Sequence, residues 1–179
     1  MVALTGFMAS GKSTVGRSLT KLLKWGFIDL DYEVERRASQ SIAEIFAQHG
    51  EARFRELEAQ ALRSLLENIA GPTVIALGGG TYVQPRNAAL LRAHGVRVVF
   101  LELPLEQLLQ RCRAADERPA CNPRPLAKDE RALRALHAER LPFYLQAEIV
   151  VNTEAKTPEV IAQEIAQVLR LSVAANRER

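Results

Sequence analysis

Residues 6 to 13 read Gly-Phe-Met-Ala-Ser-Gly-Lys-Ser and are followed by Thr14, which fits the pattern G-x-x-x-x-G-K-[ST]. That spacing suits one kind of chemistry. Gly6 and Gly11 let the backbone turn its N–H groups inward, so that they and the positive end of a following helix converge on one anion, a nucleotide's phosphate chain. Lys12 then reaches the β- and γ-phosphates, and Ser13 offers its hydroxyl to Mg²⁺. The loop residues assigned to ATP are Gly6, Met8, Ala9, Ser10, Gly11, Lys12, Ser13 and Thr14.

Two aspartates stand where a metal and an acceptor hydroxyl would need them. Many P-loop proteins hold Mg²⁺ with an acid at the end of a buried strand, but the strongest such run here, Thr73 to Leu77, ends in Gly78-Gly79-Gly80 and carries no acid. Asp29, closing the apolar pair Phe27-Ile28, is therefore the candidate to steady the metal, with Ser13 as its direct ligand. Asp31, two residues further, points to the same side and can accept a hydrogen bond from a hydroxyl to be phosphorylated. Either aspartate could instead cap the helix that follows.

Three glycines at a strand end cost conformational entropy unless something exploits them. Gly78, Gly79 and Gly80 leave N–H groups bare for a ligand's oxygens, although a tight turn would use the same residues. Arg55 and Glu58 lie one helical turn apart, where the acid can hold the guanidinium in place; a solvated helix face would look alike. Arg118 falls in a proline-rich stretch, and Arg140 at the end of a helix. An arginine swung over the phosphates neutralises charge in the transition state, worth about 10³–10⁵ in rate where arginine fingers act. Arg140 and Arg55 together could form a two-armed clamp on a carboxylate.

The elements that must position these groups follow from the pattern of apolar residues. Val2 to Thr5 reads as a buried strand, and Val15, Leu19, Leu22 and Leu23 as one face of the helix after the loop. Phe27-Ile28-Asp29 reads as a short buried strand. Ser41-Ile42-Ala43-Glu44 is a capping box opening a helix with Ile42, Ile45 and Phe46 inward. Gly50 breaks it, and a second helix runs from about Glu51 to Asn68 with Phe54, Leu57, Ala61, Leu62 and Leu65 on one face. The region between the second and third strands exceeds one crossover helix, so residues 32–64 or so are expected to bind the acceptor.

Beyond Gly71-Pro72, strands are expected at Thr73–Leu77, Arg97–Leu103 and Ile149–Val151, and helices at Pro85–His94, from Pro104, at about Leu126–Arg140 and from Thr157-Pro158. In the last of these Ile161, Ile165, Val168 and Leu169 are expected to face the sheet. Residues 113–125 read as a mobile lid, and 172–179 as a frayed tail. Five apolar strands alternating with helices predict an α/β, three-layer fold, one domain over residues 1–171, with ligands at the carboxyl ends of a parallel sheet.

Totals narrow the function classes. At 179 residues and 47% hydrophobic content the chain is long enough for one cored domain. No apolar run of transmembrane length and no signal peptide is seen, so a soluble, cytoplasmic protein is expected. Cys112 and Cys121 match no metal or redox spacing and are read as reduced. The net charge of +3 is concentrated between Arg111 and Arg140, where eight basic residues face five acidic ones. A basic cluster beside a phosphate loop suits a small polyanion better than nucleic acid, for which stacking aromatics are missing.

Taken together, Gly6-Phe7-Met8-x-x-Gly11-Lys12-Ser13-Thr14, Phe27-x-Asp29-x-Asp31, Ser41-Ile42-x-Glu44-Ile45-Phe46, Phe54-Arg55-x-x-Glu58, Gly78-Gly79-Gly80, Arg118-Pro119 and Glu139-Arg140-x-Pro142-x-Tyr144 resemble, in order and spacing, the shikimate kinases. The resemblance runs from about Leu4 to Pro158. It implies ATP-dependent phosphorylation of the 3-hydroxyl of shikimate, in aromatic amino-acid biosynthesis, by a P-loop kinase that is a monomer. It further implies that Asp31 binds the substrate hydroxyls, that Arg55 and Arg140 hold its carboxylate, that Gly78 to Gly80 give backbone contacts and that Arg118 belongs to a closing lid. Arg111 and the loop around Thr157-Pro158 would lie along the adenine.

This chain departs from the family pattern at Lys24, where glycine is usual, at Gly26, at Ala120-Cys121 in the lid, and at Ala155-Lys156. A related kinase acting on gluconate or a nucleoside monophosphate, and a nucleotide-binding module without turnover, are the competing readings. Two arginines with a triple glycine favour a compact carboxylated polyol. Retention of Lys12, Ser13, Asp29, Asp31 and Arg118 together argues for turnover.

Overall fold

Short apolar runs bounded by glycine, proline or charge become strands when two helical layers can cover them. The computed structural model describes residues 1–116 and 129–171. In chain order its elements are β1 (Val2–Thr5), α1 (Lys12–Leu23), β2 (Gly26–Asp29), α2 (Leu30–Ala38), α3 (Ile42–Asn68), β3 (Thr73–Ala76), α4 (Pro85–Ala93), β4 (Arg97–Glu102), α5 (Leu105–Asp116), α6 (Glu130–Tyr144), β5 (Ile149–Asn152) and α7 (Pro158–Val168). The strands form a five-stranded sheet in the order β2-β3-β1-β4-β5, and every pairing is parallel.

Successive residues of each strand supply opposite faces. Ala3, Ile75 and Val98 join Leu30, Val34, Phe54, Leu62 and Leu91 on one side. Val2, Leu4, Val74 and Val99 join Leu19, Leu23, Ile161 and Ile165 on the other. A third cluster, with Phe7, Phe100, Leu108, Leu133 and Tyr144, packs α5 and α6 against the carboxyl end of the sheet. The chain reverses its direction of travel across the sheet at β1, so the crevice beyond that strand is where a ligand is expected. The P-loop leaves β1 at that point. Among the described residues no helix is long and apolar enough to cross a membrane.

The capping box forms as read: Glu44 N–H donates to Ser41 Oγ at 3.2 Å and Ser41 N–H to Glu44 Oε2 at 2.7 Å. Gly50, at φ 75 and ψ 178, kinks α3 where a helix break was expected.

Several expectations need correction. β2 is an edge strand with half-buried residues rather than a buried one, because only β3 pairs with it. Pro104 precedes α5 and accepts the N–H of Leu108, so it caps the helix instead of opening it. α5 continues to Asp116, three residues past the start of the expected lid at Arg113. α6 does not end at Arg140 but runs on through Pro142 to Tyr144. The proline ring forfeits the hydrogen bond to Ala138, yet burial of Tyr144 holds that last turn against the core. Val168 faces solvent, 52% exposed, where it was expected to face the sheet. The remainder of the lid and the expected tail lie outside the described residues, and so do Cys121 and Arg118.

Candidate active site

The P-loop begins as β1 ends. Gly6 takes φ 144, and a β-carbon there would lie 2.9 Å from the Leu101 carbonyl oxygen, so no other residue fits without displacing β4. Ala9 also sits in the left-handed region, at φ 61, a conformation that side chains other than glycine and asparagine adopt at a cost. Gly11, at φ 94, precedes α1 and offers no side-chain cap, which leaves the first-turn amides directed out of the helix end. The geometry is a nest of backbone donors at a helix N-terminus.

Within that nest Lys12 is 8% exposed and its Nζ donates to the carbonyls of Gly6 and Phe7, both at 2.9 Å. The ammonium is thus held against the inside of the loop. Ser10 Oγ is buried and has no hydrogen-bond partner among the described residues, a group for which a bound anion supplies one. Ser13 Oγ donates to Asp29 Oδ2 at 2.6 Å, while Asp29 Oδ1 accepts the N–H of Asp31 at 3.1 Å and caps α2. Helix capping therefore falls to Asp29, not to Asp31, and the same carboxylate also reaches Ser13. One hydroxyl backed by one carboxylate suits a hard cation such as Mg²⁺, which keeps most of its waters and its phosphate ligands.

Opposite the loop, the three glycines after β3 form the floor on which the other side chains meet. A β-carbon at Gly78 would stand 2.5 Å from Asp31 Oδ1, 2.9 Å from Glu58 Oε1 and 2.9 Å from Thr81 Oγ1. At Gly79 it would lie 3.7 Å from Arg140 Nη1 and 3.6 Å from the Met8 amide nitrogen; at Gly80, 2.5 Å from Arg55 Nη2. None of the three has a positive φ. Gly78 and Gly80 are held by space, since a side chain there would displace Asp31, Glu58 and Thr81 or Arg55, whereas a β-carbon at Gly79 would meet its neighbours at ordinary contact distance.

Arg55 is fixed from two sides. Its Nη1 donates to Glu58 Oε2 at 3.1 Å, and its Nη2 to Glu51 Oε1 at 3.0 Å. Arg86 Nη2 donates to the Arg55 carbonyl at 2.7 Å and ties α4 to α3. Glu58 is fully buried and also accepts from Thr81 Oγ1 at 2.7 Å. Burial pushes the Glu58 pKa up and outweighs the opposing pull of Arg55 and Thr81, and Asp31 nearby adds to the rise. For Arg55 burial acts downward, but Glu58 and Glu51 more than offset it and hold the pKa above its usual value.

The raised Glu58 pKa has a pH consequence. An acid held above its unfolded value of 4.5 favours the folded state most when protonated, so its ionisation lowers stability as pH rises from there through the folded pKa. Glu58→Gln removes that ionisation. The melting temperature of the variant relative to the unmodified chain should therefore increase between pH 4 and pH 8 or so, while KM for the acceptor rises about tenfold because Arg55 loses an ionic brace. Thermal melts across pH, with kinetics at one pH, check both; a relative Tm that falls with pH contradicts the assignment.

Arg140 reaches the same floor from α6 and is 7% exposed. Among the described residues no carboxylate pairs with it. Arg111 Nη1 lies 3.5 Å from the Ala9 carbonyl, at the rim of the P-loop. Pro158 is the first residue of α7, whose second residue, Glu159, accepts from Ser18 of α1 at 3.2 Å. The 153–157 loop before it leaves the carboxyl end of β5, the same edge of the sheet as the P-loop. The basic cluster is partly neutralised: Arg134 pairs with Glu106 and Glu130, at 2.6 and 2.8 Å, and Arg113 pairs with Glu130.

Thr81, Glu51, Arg86 and the left-handed Ala9 are site features that the sequence reading missed. Glu51 was available at helical i,i+4 spacing from Arg55, and Thr81 stands next to the glycines. Nothing local marks Arg86, which acts across two helices.

Comparisons with known proteins identify the family. The family model described as shikimate kinase matches residues 8–170. A shikimate kinase from Geobacter sulfurreducens is 44% identical over 169 residues, covering 94% of this chain and 90% of the relative. The solved structure of shikimate kinase from Acinetobacter baumannii in complex with shikimate superimposes with a TM-score of 0.85 at 35% identity, covering 94% of this chain and 92% of that one. Shikimate kinase from Aquifex aeolicus gives a TM-score of 0.78 at 38% identity, over 94% and 95% of the two chains. The phosphate nest, the glycine floor and the two arginines that meet there belong to a member of the shikimate kinase family.

Proposed function

We propose that this chain transfers the γ-phosphoryl group of ATP to the 3-hydroxyl of shikimate, giving shikimate 3-phosphate and ADP in the route to the aromatic amino acids. One observation carries the reading. The glycine floor touches the P-loop at Met8 and, on adjacent residues, Asp31, Arg140 and Arg55. A phosphoryl donor and a carboxylated polyol placed there would be neighbours.

Each group then has a task. The P-loop amides and Lys12 bind the phosphate chain and offset charge as it spreads over the transferred oxygens. Asp31 accepts a hydrogen bond from the attacking hydroxyl and sets its line of approach; little proton removal is needed early, because such transition states are loose. Arg55 and Arg140 grip the acceptor's carboxylate and so fix which hydroxyl faces the donor. Ser13, backed by Asp29, would hold Mg²⁺, which when bound neutralises phosphate oxygens. Arg118 is assigned to the transition-state charge, and Arg111 and the Thr157-Pro158 loop to the adenine. The same reading takes the protein to be a monomer that works in the cytoplasm, where ATP is supplied.

A coupled ADP-release assay with shikimate, gluconate and AMP as separate acceptors tests the proposal. Release dependent on shikimate alone is expected. Comparable turnover with gluconate or AMP, or none with any, overturns it.

A further inference from the structure

Tyr144 lies at the end of α6, in the turn that continues past Pro142. It is completely buried, its ring stacked on Phe100 with centroids 5.2 Å apart. Its hydroxyl donates to the Gly79 carbonyl oxygen, and the Arg140 guanidinium, one helical turn earlier, acts on it electrostatically, with Nη1 3.7 Å from where a β-carbon on Gly79 would stand. The phenol thus stands on a backbone acceptor with a guanidinium close by. Burial pushes its pKa up to about 12, against the pull of Arg140 and Arg55, so the O–H stays in place across the physiological range.

Gripping one carbonyl has a consequence across the peptide bond. The Gly79 C=O and the Gly80 N–H belong to one planar trans unit and point in opposite directions. With Gly79 O held toward α6, Gly80 N–H is aimed the other way. Among the described residues that N–H has no acceptor, and no β-carbon shields it. A glycine pair alone would leave this peptide free to rotate.

We propose that Tyr144 is a positioning residue: its hydroxyl locks the Gly79–Gly80 peptide and the Arg140 guanidinium to each other, so that an amide donor and a cation meet the acceptor in a fixed register. The inference rests on the acceptor site proposed above. It gives the motif ending in Tyr144 a task beyond packing, and explains why the helix continues through a proline to deliver a phenol to a loop carbonyl.

The test is Tyr144→Phe, which keeps the ring and removes one oxygen. KM for shikimate should rise about 5- to 30-fold, since the Gly79 carbonyl loses its donor and Arg140 its brace, while KM for ATP and kcat stay within twofold. Arg140→Lys and the double variant complete a cycle, and the two KM effects should combine to less than their product, because each breaks the same network. Leu133→Val, in the same apolar cluster, should lower Tm without moving KM. A Tyr144→Phe enzyme with unchanged KM, or effects that multiply independently, overturns the inference while wild-type turnover of shikimate leaves the acceptor reading standing. Wild-type enzyme that does not turn over shikimate overturns both.

Discussion

Lys12→Ala should lower kcat by about 10²–10³ with KM for shikimate changed less than threefold, because one preorganised charge aimed at the transferred group is worth that much where water is excluded. Two facts sharpen the expectation. Lys12 is buried inside the loop, and its three donors already have two carbonyls to satisfy, Gly6 and Phe7 at 2.9 Å each. Replacement therefore also loosens the nest before nucleotide arrives, so ADP affinity should weaken. Lys12→Arg should not rescue the rate, since a planar guanidinium cannot turn onto the same carbonyls within so tight a loop. Pre-steady-state phosphoryl transfer, with ADP binding by calorimetry, separates the two effects. A kcat within tenfold of the unmodified chain would remove Lys12 from the chemistry.

Such a prediction was open from the sequence, because the P-loop is a local device. Its glycines, lysine and serine act within one turn of chain, so spacing alone specifies them. The helices of α1 and α3 were legible for the same reason, their apolar faces and the Ser41 cap being local signals. What escaped depends on neighbours distant in the chain. An apolar run such as Phe27-Ile28 looks the same at a sheet edge as at its centre, and only the strand order leaves β2 half exposed. Pro142 signalled a helix end by its own chemistry, and a tertiary contact at Tyr144 overruled it. Val168 fits an apolar stripe in a one-dimensional reading but falls beyond the width of sheet that α7 covers. At the site, the pairing of Arg55 with Glu58 was readable from i,i+3 spacing, whereas Thr81 and Arg86 join it through contacts between elements.

Arg140→Ala should raise KM for shikimate by about 10²–10³ and leave kcat at saturation within about fivefold. The argument turns on what surrounds the guanidinium. Arg55 has two carboxylates, Glu51 and Glu58, so truncating it leaves acids behind and also disturbs α3. Arg140 is buried beside the glycine floor and has no carboxylate partner among the described residues. A cation held out of water without an acid is incomplete until an anion arrives, and losing one member of a desolvated charge pair costs roughly 2–5 kcal/mol. At 1.4 kcal/mol per factor of ten that spans about 30- to 4,000-fold, with the expected 10²–10³ inside it. Arg140→Lys should recover only part of it, because a point charge replaces two-pronged contact with a carboxylate. An acceptor analogue lacking the carboxylate supplies the control: its weak turnover should be nearly the same with or without Arg140. If the variant instead discriminates equally against both acceptors, the guanidinium shapes the floor and does not bind the carboxylate, and the clamp reduces to Arg55 alone.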